Sequence, residues 1–96
     1  MFARVATFEV DDPGLIDGEV ETTRRYTEGG RLPDGIPAVG FFMMIDRAAG
    51  KVVEVLLFET ADDLREGDAK MSTMAPGEGS MHRVGLDRLE VPVHIP

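Results

Sequence analysis

Hydrophobic positions crowd into one stretch, Ala38 to Thr60, where A-V-G-F-F-M-M-I-D and K-V-V-E-V-L-L-F-E-T are joined by R-A-A-G. β-Branched and aromatic residues fill both arms, and Asp46 and Gly50 supply turn chemistry, so the pattern predicts a β-hairpin. A half-exposed hairpin alternates apolar with polar residues. Here Val39 to Ile45 and Val52 to Phe58 are apolar at both parities except for Gly40 and Glu54, which predicts a sheet covered on both faces. Helices of the same chain can cover one face. A chain of 96 residues has little left for the other, so a second copy is the expected cover.

The flanking segments carry their own periods. Phe2, Arg4, Ala6, Phe8 and Val10 share one parity, with Ala3, Val5, Thr7 and Glu9 on the other, which predicts a first strand over Phe2 to Val10. Asp12 and Pro13 then suit the N-cap and first position of a helix running from about Pro13 to Glu28. At 100° per residue, Leu15, Ile16, Val20 and Tyr26 fall inside, and Asp17, Glu21, Arg25 and Glu28 outside. Glu21 with Arg25, and Arg24 with Glu28, are expected surface pairs. Glu19, Thr23, Thr27 and Tyr26 place a carboxylate, two hydroxyls and a phenol on or beside the inner stripe. Gly29 and Gly30 end this helix, and Pro33, Asp34-Gly35 and Pro37 form a stiff turn before the hairpin.

After the hairpin, T-A-D-D predicts an N-cap at Thr60 and a second helix with Leu64, Gly67, Met71 and Ala75 inside, stopped near Met74 by Pro76, Gly77 and Gly79. From Ser80 to Ile95 the apolar residues change phase, Val84 and Leu86 at one parity and Leu89, Val91 and Val93 at the other. That change predicts a β-bulge near Asp87-Arg88, with Pro92 at an edge or past the pairing. The order is β-α-β-β-α-β. It predicts one α+β domain over residues 1–96, a ferredoxin-like split βαβ with two helices on one face of a four-stranded antiparallel sheet. Two such sheets packed face to face would form a dimeric α/β barrel.

Composition narrows the partners. Ten basic against eighteen acidic side chains give a net charge of −8, which repels phosphate backbones and anionic lipid, so neither nucleic acid nor membrane is an expected partner. No cysteine is present, which excludes disulfides, thiolate metal sites and cysteine nucleophiles. The start of the chain lacks the pattern of a cleaved leader and no apolar run approaches the ~20 residues of a membrane span, so a cytoplasmic location is expected. His82 and His94 have no carboxylate spacing of a metal site, and no cofactor is expected.

The element order, together with V-V-E-V-L-L-F-E-T-A-D-D-L, an apolar arm ending in aromatic, acidic and Thr before an acidic helix start, resembles the dimeric α/β-barrel superfamily. Within it the chain is most similar to the antibiotic-biosynthesis-monooxygenase-like branch, and the likeness spans nearly the whole chain. The resemblance implies a homodimer and a ligand cleft between the sheet and its own helices. Phe58 stands where many members have tryptophan and would face that cleft. Val52, Glu54 and Leu56 would then face it too, while Val53, Val55 and Leu57 face the partner subunit. Haem-degrading members rely on asparagine, tryptophan and histidine, and the best-known oxygenases on asparagine and tryptophan near an arginine; this chain has no asparagine and no tryptophan. Neither mechanism carries over.

The candidate chemistry is therefore a set of polar groups able to converge in that cleft. Glu54 and His82 are the candidate catalytic residues, either one a possible base, and Glu19, Thr23, Tyr26 and Phe58 are the candidate ligand-binding set. Each polar group also has a plain structural reading: Glu54 at an open sheet end, Glu19 reaching into water, Tyr26 in the core with its hydroxyl wet, His82 on a loop. Met43, Met44, Met71 and Met74 suit an adaptable ligand wall or simply a methionine-rich core. Three functions stay open: a binding module for a small apolar or aromatic molecule, a cofactor-independent monooxygenase, and a structural dimer without a ligand. A cleft of at least ~300 Å³ would favour the first two.

Overall fold

The structure, a computed structural model, describes residues 1–30, 32, 35–73 and 81–95. Along the chain lie β1 (Phe2–Val10), a 3-10 turn (Pro13–Leu15), α1 (Ile16–Tyr26), a second 3-10 turn (Glu28–Gly30), β2 (Gly40–Asp46), β3 (Lys51–Phe58), α2 (Ala61–Thr73) and β4 (Met81–Glu90). The strands form one antiparallel sheet in the order β2-β3-β1-β4, and both helices pack on the same face of it. This is the ferredoxin-like α+β arrangement that the element order predicts.

The hairpin is closed by Asp46 opposite Lys51, and the Asp46 carboxylate accepts a hydrogen bond from the Ala49 N–H at 3.1 Å. Gly50 has φ of 64°, and a Cβ there would lie 3.0 Å from the Val10 carbonyl oxygen. The turn needs glycine for both reasons, because it docks on the end of β1, where the Val10 N–H donates to the Gly50 carbonyl at 2.8 Å.

Register assigns the faces. Phe41, Met43 and Ile45 of β2 lie opposite Leu56, Glu54 and Val52 of β3, which in turn oppose Arg4, Ala6 and Phe8 of β1, and this whole set faces the helices. Phe42, Met44, Val53, Val55 and Leu57 take the other face. That face is apolar but open: Val55 at its centre is 5% exposed, whereas Phe42, Met44 and Leu89 around it are 44%, 48% and 50% exposed. Under the helices the core divides into two clusters. Ile16 packs on Ala6, Phe8, Val10 and Val52; Leu64 packs with Ile36, Leu56 and Phe58.

Several local expectations change. The predicted helix from Pro13 to Glu28 is broken at both ends: Asp12 accepts from Gly14 N–H as expected, but Leu15 N–H bonds to the Asp12 carbonyl three residues back, so a 3-10 turn precedes α1. At the far end Gly29 takes φ of 76° and stops the helix. Leu15 and Tyr26, expected inside, are 46% and 71% exposed, because α1 meets the sheet through Ile16 and Val20 near its N-terminus. Among the described residues, the pairs Glu21–Arg25 and Arg24–Glu28 are not formed. The second helix begins as predicted, with the Thr60 hydroxyl accepting from Asp63 N–H at 3.0 Å. Its expected stop at Pro76, Gly77 and Gly79, Met74 and the Asp34 turn lie outside the described residues.

The bulge in β4 is real but misplaced by the sequence reading. Gly85 opposes Thr7 and Arg83 opposes Phe8, so Val84 is the extra residue, not Asp87 or Arg88. The phase change in the sequence has another cause: Leu86 faces the helices opposite Ala6, and Leu89 the open face opposite Ala3. The strand ends at Glu90, so Pro92 lies past the pairing as expected. One more rung forms after Glu90, from Val91 N–H to the Met1 carbonyl at 2.8 Å.

Two glycines give opposite predictions. A Cβ on Gly67 would sit 2.5 Å from Phe58 Cε1, whereas one on Gly18 meets nothing within 4 Å. Gly18→Ala should stabilise the fold by about 0.5–1 kcal/mol through helix propensity. Gly67→Ala should destabilise it by about 1–3 kcal/mol because overpacking outweighs the same propensity gain. Denaturant melts of both variants check the pair, and equal signs would contradict the packing of α2 on Phe58.

Candidate functional site

A polar seam separates the two core clusters. Arg4 projects from β1 on the helix face with a side chain only 5% exposed, and Arg88 of β4 lies directly opposite it. Two like charges side by side repel. Asp68 of α2 resolves this by accepting from Arg4 Nε at 2.9 Å through one oxygen and from Arg88 Nε at 2.8 Å through the other. Burial alone would push the Asp68 carboxyl up, but the hydrogen bonds and charges of Arg88 and Arg4 outweigh it and hold the group below the usual aspartate range.

Glu54 is the second polar member of that face, between Met43 and Ala6 in the register. No hydrogen bond or ion pair joins Glu54 to another side chain among the described residues. Burial, and then the charge of Glu19 on α1, push its carboxyl above the usual glutamate range, with Arg4 pulling the other way. Sheet geometry thus brings Glu54 near Glu19, the one convergence the sequence reading anticipated.

The remaining candidates separate. His82 lies opposite Glu9 on β4, away from the helix face, and its Nε2 sits 2.9 Å from Asp11 at the exposed end of the sheet. Tyr26 projects into solvent. Phe58 is fully buried against Gly67 and the Leu64 cluster, so it is a core residue and lines neither of the two cavities between α1 and β2. Thr23 does line an open space. Of the methionines, Met43 lines that same space, Met71 packs on the Leu64 cluster, and Met44 is on the open face. Among the described residues no three acidic or histidine side chains converge to hold a metal ion.

The open space is a groove between α1 and the edge strand β2. One cavity of about 520 Å³ lies among Leu32, Ile36, Ala38, Val39 and Phe41, with Thr27 on its helix side. A second, of about 260 Å³, runs beside it, with Phe41, Met43 and Ile45 on the strand side and Val20, Thr23, Arg24 and Thr27 on the helix side. Thr27 and Phe41 belong to both, so the two form one channel along α1. Its cause is the way α1 is held. Ile16 anchors the N-terminal end, and the rest of the helix presents threonines where a packed helix would carry leucines. Thr27 turns its hydroxyl to the Thr23 carbonyl at 3.0 Å. The sequence reading expected a cleft between α1 and β3, whereas these cavities lie between α1 and β2. The signal was available: Phe41, Met43 and Ile45 repeat at period two, and pairing with β3 puts them on the face of Leu56, Glu54 and Val52.

The two displaced carboxyl groups predict opposite pH limbs. Asp68 is held low, so its contribution is complete above the ordinary aspartate value of about 3.9 and is lost as pH falls through its lowered value. Glu54 is pushed up, so the fold is favoured below the ordinary glutamate value of about 4.3, and that advantage is lost as pH rises through its raised value. Asp68→Asn should lower Tm at pH 7 and flatten the acid limb. Glu54→Gln should raise Tm at pH 7 by a few degrees and leave it unchanged near pH 4. Circular-dichroism melts between pH 2 and 8 read both. Comparison of the chain with protein-family models, with curated proteins and with solved structures found no match, so the family stays at the level of the ferredoxin-like fold.

Proposed function

We propose that this chain is a small binding module that holds an apolar or aromatic molecule in the groove between α1 and β2, and that it does so as a homodimer joined through the open sheet face. The observation that carries the ligand reading is the channel itself, above the roughly 300 Å³ that small-molecule sites begin at, with apolar side chains along the strand and two threonine hydroxyls on the helix. The dimer reading rests on Phe42, Met44 and Leu89, exposed apolar residues around a central Val55 on a face that no element of the chain covers among the described residues. Face-to-face packing of two such sheets is the arrangement of dimeric α/β barrels, including the monooxygenase-like branch that the sequence resembles.

A cofactor-independent monooxygenase is the second reading. It is favoured by Glu54, whose raised carboxyl could take a proton from a phenol or enol held beside Met43. His82, at the exposed end of the sheet, has no part in this version.

Binding is checked by thermal shift and fluorescence titration with a panel of aromatic ligands. Phe41→Ala should weaken the best ligand about tenfold or more, whereas Tyr26→Ala, outside the groove, should leave its affinity unchanged; the reverse order would move the site. For the dimer, light scattering should give twice the mass of 10.5 kDa at micromolar concentration. Met44→Glu should give a folded monomer, because the residue is half-exposed in the single chain and an unpaired charge is costly only once covered. A wild-type monomer would remove the dimer and leave the groove untouched.

A further inference from the structure

The groove has a polarity that runs against the rest of the molecule. The chain carries eighteen acidic and ten basic residues, yet among the described residues lining either cavity one side chain is charged, and it is Arg24. Arg24 is exposed on α1 and lines the narrower cavity together with Thr23, Phe41 and Met43. It has no ion-pair partner among the described residues, in contrast to Arg4, Arg47, Arg65 and Arg88, each of which is matched with an aspartate. No carboxylate lines either cavity among the described residues, so nothing acidic on these walls competes for Arg24. A ligand with an anionic group is therefore drawn to Arg24, with its apolar body left for the Leu32, Ile36 and Phe41 cavity.

We infer that the ligand is an apolar or aromatic acid, a molecule with one carboxylate or similar anionic head held by Arg24 and a hydrophobic body lying along Phe41. This rests on the reading of the groove as a binding site and adds the class of molecule and its orientation. A guanidinium offers a planar pair of donors that matches a carboxylate, and Thr23 lies beside it on the same wall. The acidic surface elsewhere keeps the general attraction for anions low, so selection depends on this one side chain.

The test uses the full chain and two matched fluorescent probes, 2-naphthoate and the neutral 2-naphthamide, titrated at low salt into wild type, Arg24→Gln and, as a control, Arg25→Gln on the same helix outside the groove. The wild type should bind naphthoate about fivefold more tightly than naphthamide, in keeping with a solvent-facing ion pair. Arg24→Gln should abolish that preference while naphthamide affinity stays within twofold, Arg25→Gln should keep it, and 0.5 M salt should reduce it in wild type. Equal binding of the two probes, or a preference that survives Arg24→Gln, would overturn the inference while leaving the groove as a site for neutral ligands. Failure of both probes to bind the wild type would overturn the groove reading and the inference together.

Discussion

Asp68 holds the fold together at the point where its two halves meet. Its carboxylate joins α2 to β1 through Arg4 and to β4 through Arg88, and with Gly67 against Phe58 it fixes α2 closely on the sheet. Removing Asp68 alone would leave a buried guanidinium facing a second one, which is far more destabilising than the loss of an exposed ion pair. The opposite helix is joined to the hairpin turn by the exposed Asp17–Arg47 ion pair. α1 is fixed at Ile16 and carries threonines further along, so it stands off from β2 and leaves the channel. A tightly held α2 and a loosely held α1 are two consequences of where the chain puts its polar side chains on the helix face.

The same division explains why Glu54 is tolerated. It lies between the two core clusters, on the side of the seam that opens toward α1, so its cost of burial is partial and Arg4 offsets some of it. A partly buried carboxyl of this kind reduces stability at neutral pH. The open sheet face has a different logic. It is apolar around Val55, with Asp87 opposite Val5 and Glu9 between His82 and Lys51 on the same face, so in water its centre gains from an apolar cover.

Much of this was legible in the chain. Two-sided apolarity in the hairpin, the Thr60 cap, Gly50 in the turn and the β-α-β-β-α-β order were all readable because each depends on neighbours within a few residues. The site was only half legible. Arg4 stood out at the apolar parity of β1 and required a buried anion, and Asp68, four residues after Leu64, was on the correct side of α2 to supply it; the pairing spans 64 residues and periodicity does not report such distances. Tyr26 was misassigned because it lies at the edge of the inner stripe, well round α1 from Val20, and α1 meets the sheet through Ile16 and Val20 near its N-terminus. Phe58 was misread for a further reason. Facing the helices is not the same as facing a cavity, and whether a gap lies above a side chain depends on how near the helix comes, which at Phe58 is set by a glycine on α2.

The central claim is that the space between α1 and β2 takes a ligand, and two-dimensional NMR of the labelled chain during titration with 2-naphthoate tests it most directly. The account predicts saturable shifts concentrated at Thr23, Arg24, Thr27, Phe41 and Met43, with Phe42 and Met44 on the opposite side of the same strand unmoved. Shifts confined to Phe42, Met44 and Leu89, or none at any concentration that dissolves, would contradict it.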